Sequence, residues 1–320
     1  MNTLSLEAIR ATLKAVGPYV RSTPTVPIPA DLVPGARAVT AKYELLQITG
    51  TFKARGAMAN ALALDEQARA AGVTAVSAGN HAIATAYAAG QLGIDAKVVM
   101  TATAPTVRVE RCRSYGAEVV LAPDVHAAFE MMAALVEREN RTAIHPFEGL
   151  LTAAGTAGVG YEFIQDATDL DAVIVPIGGG GLAAGVATAV KLLAPECKVY
   201  GVEPEGADSM SRSLAAGSAQ QLSRVDTVAD SLGAPMALPI SFSLCQQHLD
   251  DVVRVTDAEL IRAMRVQHQH LGLAVEPACA ATLAAATGPL AKRLVGKHVG
   301  LIFCGSNMDP ESWFRLVETH

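Results

Sequence analysis

The stretch Ala172-Val173-Ile174-Val175-Pro176-Ile177-Gly178-Gly179-Gly180-Gly181-Leu182 decides how the chain is read. An apolar run without polar interruption is the pattern of a strand covered on both faces. The glycines that follow let the backbone approach a ligand closely, and a helix opening at Gly181 aims its free N–H groups at an anion, typically phosphate. Two ligands fit the loop. Gly179-x-Gly181-x-x-Ala184 matches the G-x-G-x-x-G/A dinucleotide fingerprint, and Glu203 ends the next strand about 20 residues on. A single phosphate satisfies the same loop. A tight turn that binds nothing is the plainest alternative, but successive glycines cost backbone entropy. The loop alone does not choose between one phosphate and a pyrophosphate.

Outward from this loop, short β-rich runs alternate with helical stretches. The pattern predicts strands over Ala38–Tyr43, Thr74–Ser77, Ala96–Met100, Glu118–Leu121, Ala172–Ile177, Lys198–Glu203 and His298–Cys304. Helices are expected over Phe52–Ala63, His81–Leu92, Pro105–Tyr115, Val125–Arg138, Gly181–Leu193 and Asp257–His270. Such alternation implies α/β architecture with parallel sheets and crossover helices. Residues 72–147 form a block able to build a small sheet of their own, leaving 1–71 and 148–320 for a larger lobe. A ligand then sits between the lobes, near the carboxyl ends of strands.

Composition excludes several classes. Apolar residues make up 51% of the 320, enough for a sizeable core, and net charge is −6 with no basic run, which argues against nucleic acid as a partner. No apolar segment is long enough to span a bilayer, and the opening Met1-Asn2-Thr3-Leu4-Ser5 lacks the basic-then-apolar pattern of a signal peptide. The five cysteines are scattered without a CxxC pair, so neither a disulfide framework nor a zinc site is expected, and a cytoplasmic location is the simplest reading.

Three further segments carry chemistry. Thr51 is placed to cap the helix that follows it, which puts Lys53 in the first turn, where the positive helix end disfavours the ammonium form. Taken locally, a solvated lysine is the plainer reading than a catalytic amine. Val76-Ser77-Ala78-Gly79-Asn80-His81 runs from strand to helix and offers a polar nest for a carboxylate or a ring hydroxyl. Cys304-Gly305-Ser306-Asn307 ends a buried strand, where a thiol can meet a ring nitrogen or simply pack.

Taken in order, Thr49-Gly50-Thr51-Phe52-Lys53-Ala54-Arg55-Gly56-Ala57, Ser77-Ala78-Gly79-Asn80-His81, His145-Pro146-Phe147, Gly178 through Leu182, Gly201-Val202-Glu203-Pro204-Glu205, Glu276-Pro277 and Cys304-Gly305-Ser306-Asn307 resemble the fold-type-II pyridoxal-phosphate enzymes. The chain looks like their threonine/serine dehydratase and serine racemase branch. The resemblance implies a two-lobed, tryptophan synthase β-like fold of twisted, helix-covered sheets, and a homodimer. It implies pyridoxal 5'-phosphate held covalently, as a Schiff base, by Lys53. Phe52 packs by the ring, Asn80 reaches the ring hydroxyl, Gly178, Gly179, Gly180, Gly181 and Leu182 cradle the phosphate, Glu276 lies at the cofactor edge and Cys304 faces the pyridine nitrogen. Thr51, Ser77, Ala78, Asn80, His81 and Ser231 surround the substrate. The implied activity is an ammonia-lyase: Lys53 removes the Cα proton of a small β-hydroxy amino acid such as threonine or serine, the hydroxyl leaves, and a 2-oxo acid and ammonia result. An NAD-dependent dehydrogenase recedes, and so does a non-catalytic binder, which needs no buried amine.

Departures sharpen the expectation. Thr51 stands where serine is usual, Ser306 replaces a common glycine, Ala153-Ala154-Gly155-Thr156 lacks a polar group found in relatives, and Ser231 follows Asp230 in place of glycine. An amino-acid racemase on the same scaffold needs a second acid/base. In serine racemase that group is a serine directly before Gly-Asn-His, and here the position is Ala78. Metal-activated relatives use a Glu-Pro-x-x-Ala-x-Asp loop; here Glu203 and the Ala207 carbonyl are kept, but Ser209 takes the place of the second carboxylate, so divalent metal should matter less and only a weak ion site is left.

Overall fold

The computed structural model describes residues 3–318; the outermost two residues at each end of the expected large lobe lie outside the described residues. The strands are β1 Thr25–Ile28, β2 Ala38–Lys42, β3 Val73–Val76, β4 Ala96–Thr101, β5 Glu118–Ala122, β6 Thr142–Ala143, β7 Ala172–Pro176, β8 Lys198–Pro204, β9 Asp251–Val255 and β10 His298–Ile302. One sheet runs β1-β2-β10-β7-β8-β9 and the other β5-β4-β3-β6. Every neighbouring pair is parallel except β1 with β2. No helix is long and apolar enough to cross a membrane among the described residues.

All seven expected strands form. Three others were not anticipated, each for a physical reason. β1 carries Pro27, which reads as a break but is tolerated on an edge strand, where one N–H row is unpaired. β6 is only two residues long, and β9 is an edge strand whose ends carry charge. The helices Leu6–Val16, Glu66–Ala71, Ser209–Ala216, Pro239–His248 and Pro310–Glu318 also lie outside the six expected, as do Leu150–Asp166 and Pro277–Thr287. The last two are buried nearly all round, so neither shows the one-sided apolar stripe that marks an amphipathic helix.

Small residues let these helices pack closely. A Cβ on Gly185 would lie 2.4 Å from the carbonyl oxygen of Ala153, and one on Gly160 2.8 Å from that of Val186. The helices Leu150–Asp166 and Gly181–Leu193 therefore touch backbone to backbone. The helix Lys53–Leu62 sends Ala54, Ala57, Met58 and Ala61 into the same apolar cluster as Val73, Ala75 and Val98 of the smaller sheet, although it precedes that sheet in the chain.

That helix is pinned by a buried ion network two residues beyond Lys53. Arg55, wholly buried, donates to Glu44 from Nε at 2.9 Å and from Nη2 at 2.8 Å, and to Glu162 from Nη1 at 2.7 Å. Thr23 Oγ1 donates to the same Glu44 carboxylate, and buried Lys42 pairs with Glu162 at 2.8 Å. Removing one partner of such a pair leaves an uncompensated buried charge. Arg55→Met should therefore lower unfolding free energy by about 3–5 kcal/mol in urea titration, and adding Glu44→Gln should recover part of the loss.

Candidate active site

Because β2, β10 and β7 are adjacent parallel strands, their carboxyl ends open side by side. The first leads to Lys53, the second to Cys304 and the third to the glycine loop. Thr51 pairs with Gly305 in an antiparallel bridge, Phe52 N–H donates to Cys304 O at 3.3 Å, and Ser306 N–H to Gly50 O at 3.1 Å. A Cβ on Gly305 would lie 2.6 Å from Thr51 Cγ2 and 2.7 Å from Glu276 Oε1, so the absence of a side chain permits this approach. The helix begins at Lys53 with Phe52 as its cap residue, and Thr51 Oγ1 accepts the Lys53 N–H at 3.3 Å. Thr51 thus bonds the helix start from one position earlier than a regular N-cap.

The glycine loop has the features of an anion cradle. Among the described residues, the N–H groups of Gly178, Gly179 and Gly180 meet no acceptor in the protein, and the helix Gly181–Leu193 starts immediately after them. Gly180 has a φ of +92°, which disfavours any side chain. Phe147 lies over the loop: a Cβ on Gly179 would fall 2.2 Å from its ring. Gly178, Gly179, Gly180, Gly181, Leu182, Phe52, Lys53, Asn80, Phe147, Ser231, Glu276 and Cys304 all line one cavity. A phosphate-bearing aromatic cofactor fits this set: amide donors at one end, a ring-sized apolar wall, an amide side chain and a thiol. Pro146 O takes a hydrogen bond from Lys53 Nζ at 2.5 Å.

Electrostatics at the cavity favour neutral forms. Burial lowers the Lys53 pKa to about 8, against smaller upward pulls from Cys304 and Glu276. Glu276 is raised to about 7 by burial, partly offset by hydrogen bonds from Asn80 Nδ2 at 2.9 and 3.1 Å. Cys304 is held well above the usual thiol value by its hydrogen bond with Cys279 and by burial, so it remains an S–H group. His81 is lowered to about 3 by burial and by Lys53, and its Nε2 lies 2.7 Å from Ile144 O, which makes it a neutral donor there.

A second cavity adjoins the first and shares Lys53, Asn80, Phe147, Gly179 and Ser231 with it. It brings in Ser77, Ala78 and His81 from the loop after β3. Ser231 Oγ accepts from Asn80 Nδ2 at 3.1 Å, while Asn307 Nδ2 donates to Asn80 Oδ1 at 2.8 Å and so fixes the amide orientation. Thr51 is fully buried behind Lys53 and lines neither cavity. Sequence reading missed Arg108 and Asp230, which pair at 2.7 Å at this cavity. It also gave Phe147 no role beyond its motif. Phe147 was legible from that motif, whereas the two charged residues, far apart in sequence, carry no local signal.

The Glu203 loop shows how the carboxylate is used. Met210 N–H donates to Glu203 Oε1 at 2.8 Å, and Ser211 N–H and Oγ donate to Oε2 at 2.8 and 2.7 Å. Both oxygens cap the helix Ser209–Ala216. A ribose in the dinucleotide reading would have to displace these three donors from Glu203. Asp208 is taken up by Arg212 and Arg254. No group of three or more acidic, histidine or cysteine side chains able to hold a metal occurs among the described residues. A divalent ion at Glu203 and the Ala207 carbonyl would have to displace three donors.

Comparison with known proteins agrees with this geometry. Residues 16–305 match the family model described as pyridoxal-phosphate dependent enzyme. A phenylserine dehydratase of Ralstonia pickettii is 52% identical over 97% of this chain and 94% of its own length. Maize serine racemase superposes with a TM-score of 0.91 at 32% identity, covering 99% of this chain and 97% of that one. The processed form of threonine deaminase isoform 2 from Solanum lycopersicum also gives 0.91, at 30% identity, covering 99% of this chain and 89% of that one.

Two outcomes are expected. Once hydroxylamine has freed the lysine, modification of Lys53 by an amine-reactive reagent should rise with pH to a half-maximum near 8, because the lowered pKa exposes neutral amine at lower pH; a surface lysine should need a pH near 10.5. Exhaustive chelation with sodium or potassium present should leave melting temperature and turnover unchanged. A loss restored only by Mg²⁺ or Mn²⁺ would contradict the capping role of Glu203.

Proposed function

The chain belongs to the pyridoxal-phosphate dependent enzymes, and from that membership we propose that it converts a 3-hydroxy amino acid to a 2-oxo acid and ammonia. The observation that carries the reading is Lys53, a buried amine with a pKa of about 8, standing where the glycine cradle meets the loop Ser77 to His81. The 52% identity to a phenylserine dehydratase supports elimination as the reaction.

The residues would divide the work as follows. Gly178 to Leu182 hold the cofactor phosphate, Phe52 and Asn80 flank the ring, and Cys304 meets its nitrogen. The bound cofactor supplies an electron sink that acidifies the substrate Cα–H. Lys53 Nζ, neutral in large fraction near pH 8, accepts that proton. Cys304, held as a thiol, would offer the ring nitrogen a neutral partner and no formal charge. Ser77, Asn80 and His81 receive the substrate carboxylate.

Two lobes, 72–147 against 1–71 with 148–320, would admit substrate between the two sheets. A homodimer and a cytoplasmic location belong to the same proposal; five unpaired, buried cysteines suit a reducing compartment.

Racemisation is the second reading, since serine racemases are among the structural relatives. Ala78, at the cavity wall, has no proton to return to the face opposite Lys53. Purified protein should absorb in the visible range as a cofactor-linked lysine does, and borohydride should fix the label on Lys53. Lys53→Ala should lose activity, and a label on another lysine would refute the assignment. One enantiomer of a 3-hydroxy amino acid should give oxo acid with little of the opposite enantiomer, and Ala78→Ser should raise racemisation.

A further inference from the structure

The helix Val125–Glu139 over the smaller sheet turns Ala128, Met131, Met132 and Leu135 toward its own apolar cluster. Their spacing of three and four residues is one helix face. Phe129 falls outside that face; it is 53% exposed and lines the second cavity. A large aromatic side chain half exposed at the border of the reaction site is available to contact an apolar group of a ligand. The lining also includes Ala234, Pro235 and Phe147, the last of which lies over the glycine loop. The cavity measures about 290 Å³. An apolar cavity of about 150 Å³ already takes a benzene ring, so a methyl substituent would leave most of this space to water.

Charge at the same wall points the same way. Apart from Lys53, the cation bordering the cavity is Arg108. Its Nη1 pairs with Asp230 at 2.7 Å, and its Nε and Nη2 donate to Asn307 O at 3.2 and 3.0 Å. Three of its five N–H groups are thus engaged by protein acceptors. A second carboxylate on the substrate would meet a cation already paired with Asp230, whose own carboxylate borders the cavity.

Resting on the ammonia-lyase reading above, we propose that the substrate class is β-aryl: the cavity lined by Phe129 and Pro235 receives an uncharged aromatic ring on Cβ, and the Asp230 carboxylate at its border disfavours a β-carboxylate. Phe129 is the specificity-determining residue, through edge or face contact with the substrate ring.

The test compares wild type, Phe129→Ala and Phe129→Leu on phenylserine, threonine and 3-hydroxyaspartate. Wild type should prefer phenylserine and turn over 3-hydroxyaspartate at least about a hundredfold less efficiently. The ratio of kcat/KM for phenylserine to that for threonine should fall about tenfold in Phe129→Ala and less in Phe129→Leu. Binding is read separately from turnover. Phenylalanine, which has the ring but no β-hydroxyl, should perturb the cofactor absorption of the wild-type holoenzyme, with a Kd about tenfold weaker in Phe129→Ala. An unchanged ratio, an unchanged phenylalanine Kd, or a wild-type preference for 3-hydroxyaspartate would overturn the proposal. Turnover of no 3-hydroxy amino acid, with phenylalanine still bound through Phe129, would instead sink the ammonia-lyase reading and leave the aryl pocket standing.

Discussion

The bridge between Thr51 and Gly305 is the constraint on which the site depends. Parallel neighbours β2 and β10 leave the sheet at the same edge, and the bridge keeps their continuations side by side for one more turn of chain. Lys53 is thereby delivered to a point facing Cys304, with Glu276 against the same glycine. The Arg55 network then fixes the helix that carries the lysine. Backbone pairing sets the position of the amine, and buried charge sets the orientation of the helix beneath it.

Within that frame, burial does most of the chemical tuning. Lys53, Glu276, Cys304 and His81 all sit where charge is poorly solvated, and each shifts toward its neutral form. The shifts do not cancel the need for order among them. Asn307 orients Asn80, Asn80 bonds both Glu276 and Ser231, and Ser231 leans on Asp230. The polar groups form one connected chain from the first cavity to the one that adjoins it, so a change at one end is felt at the other.

Much of this was legible from residues alone, and the reasons differ by feature. The strand–glycine–helix unit at Ala172 to Leu193 announces itself because buried parallel strands and anion loops have local signatures. The Lys53 segment does not. A lysine in a first helical turn is common, and only the ordered company of the other motifs gives it meaning. The helices Leu150–Asp166 and Pro277–Thr287 were invisible because burial on all sides erases periodicity. Arg108 and Asp230 were invisible because their pairing spans 122 residues and two sheets. Glu203 shows the opposite failure: its spacing fitted a ribose ligand, and the following helix had already claimed it.

The alanine- and glycine-lined helix contacts described above have a consequence for how the sequence can drift. Ala183, Ala184, Ala187 and Ala189, and likewise Ala280, Ala281, Ala284 and Ala285, sit at or near zero exposure. Such residues lose almost no rotamer freedom on folding, so the ordering cost of these layers is mostly backbone. They also leave no soft side chain to yield when a neighbour grows, unlike a core built from methionine or leucine. Mutational tolerance should therefore be uneven: strands such as β7 and β10 can exchange one branched aliphatic for another, whereas the helix faces admit little but what they already hold.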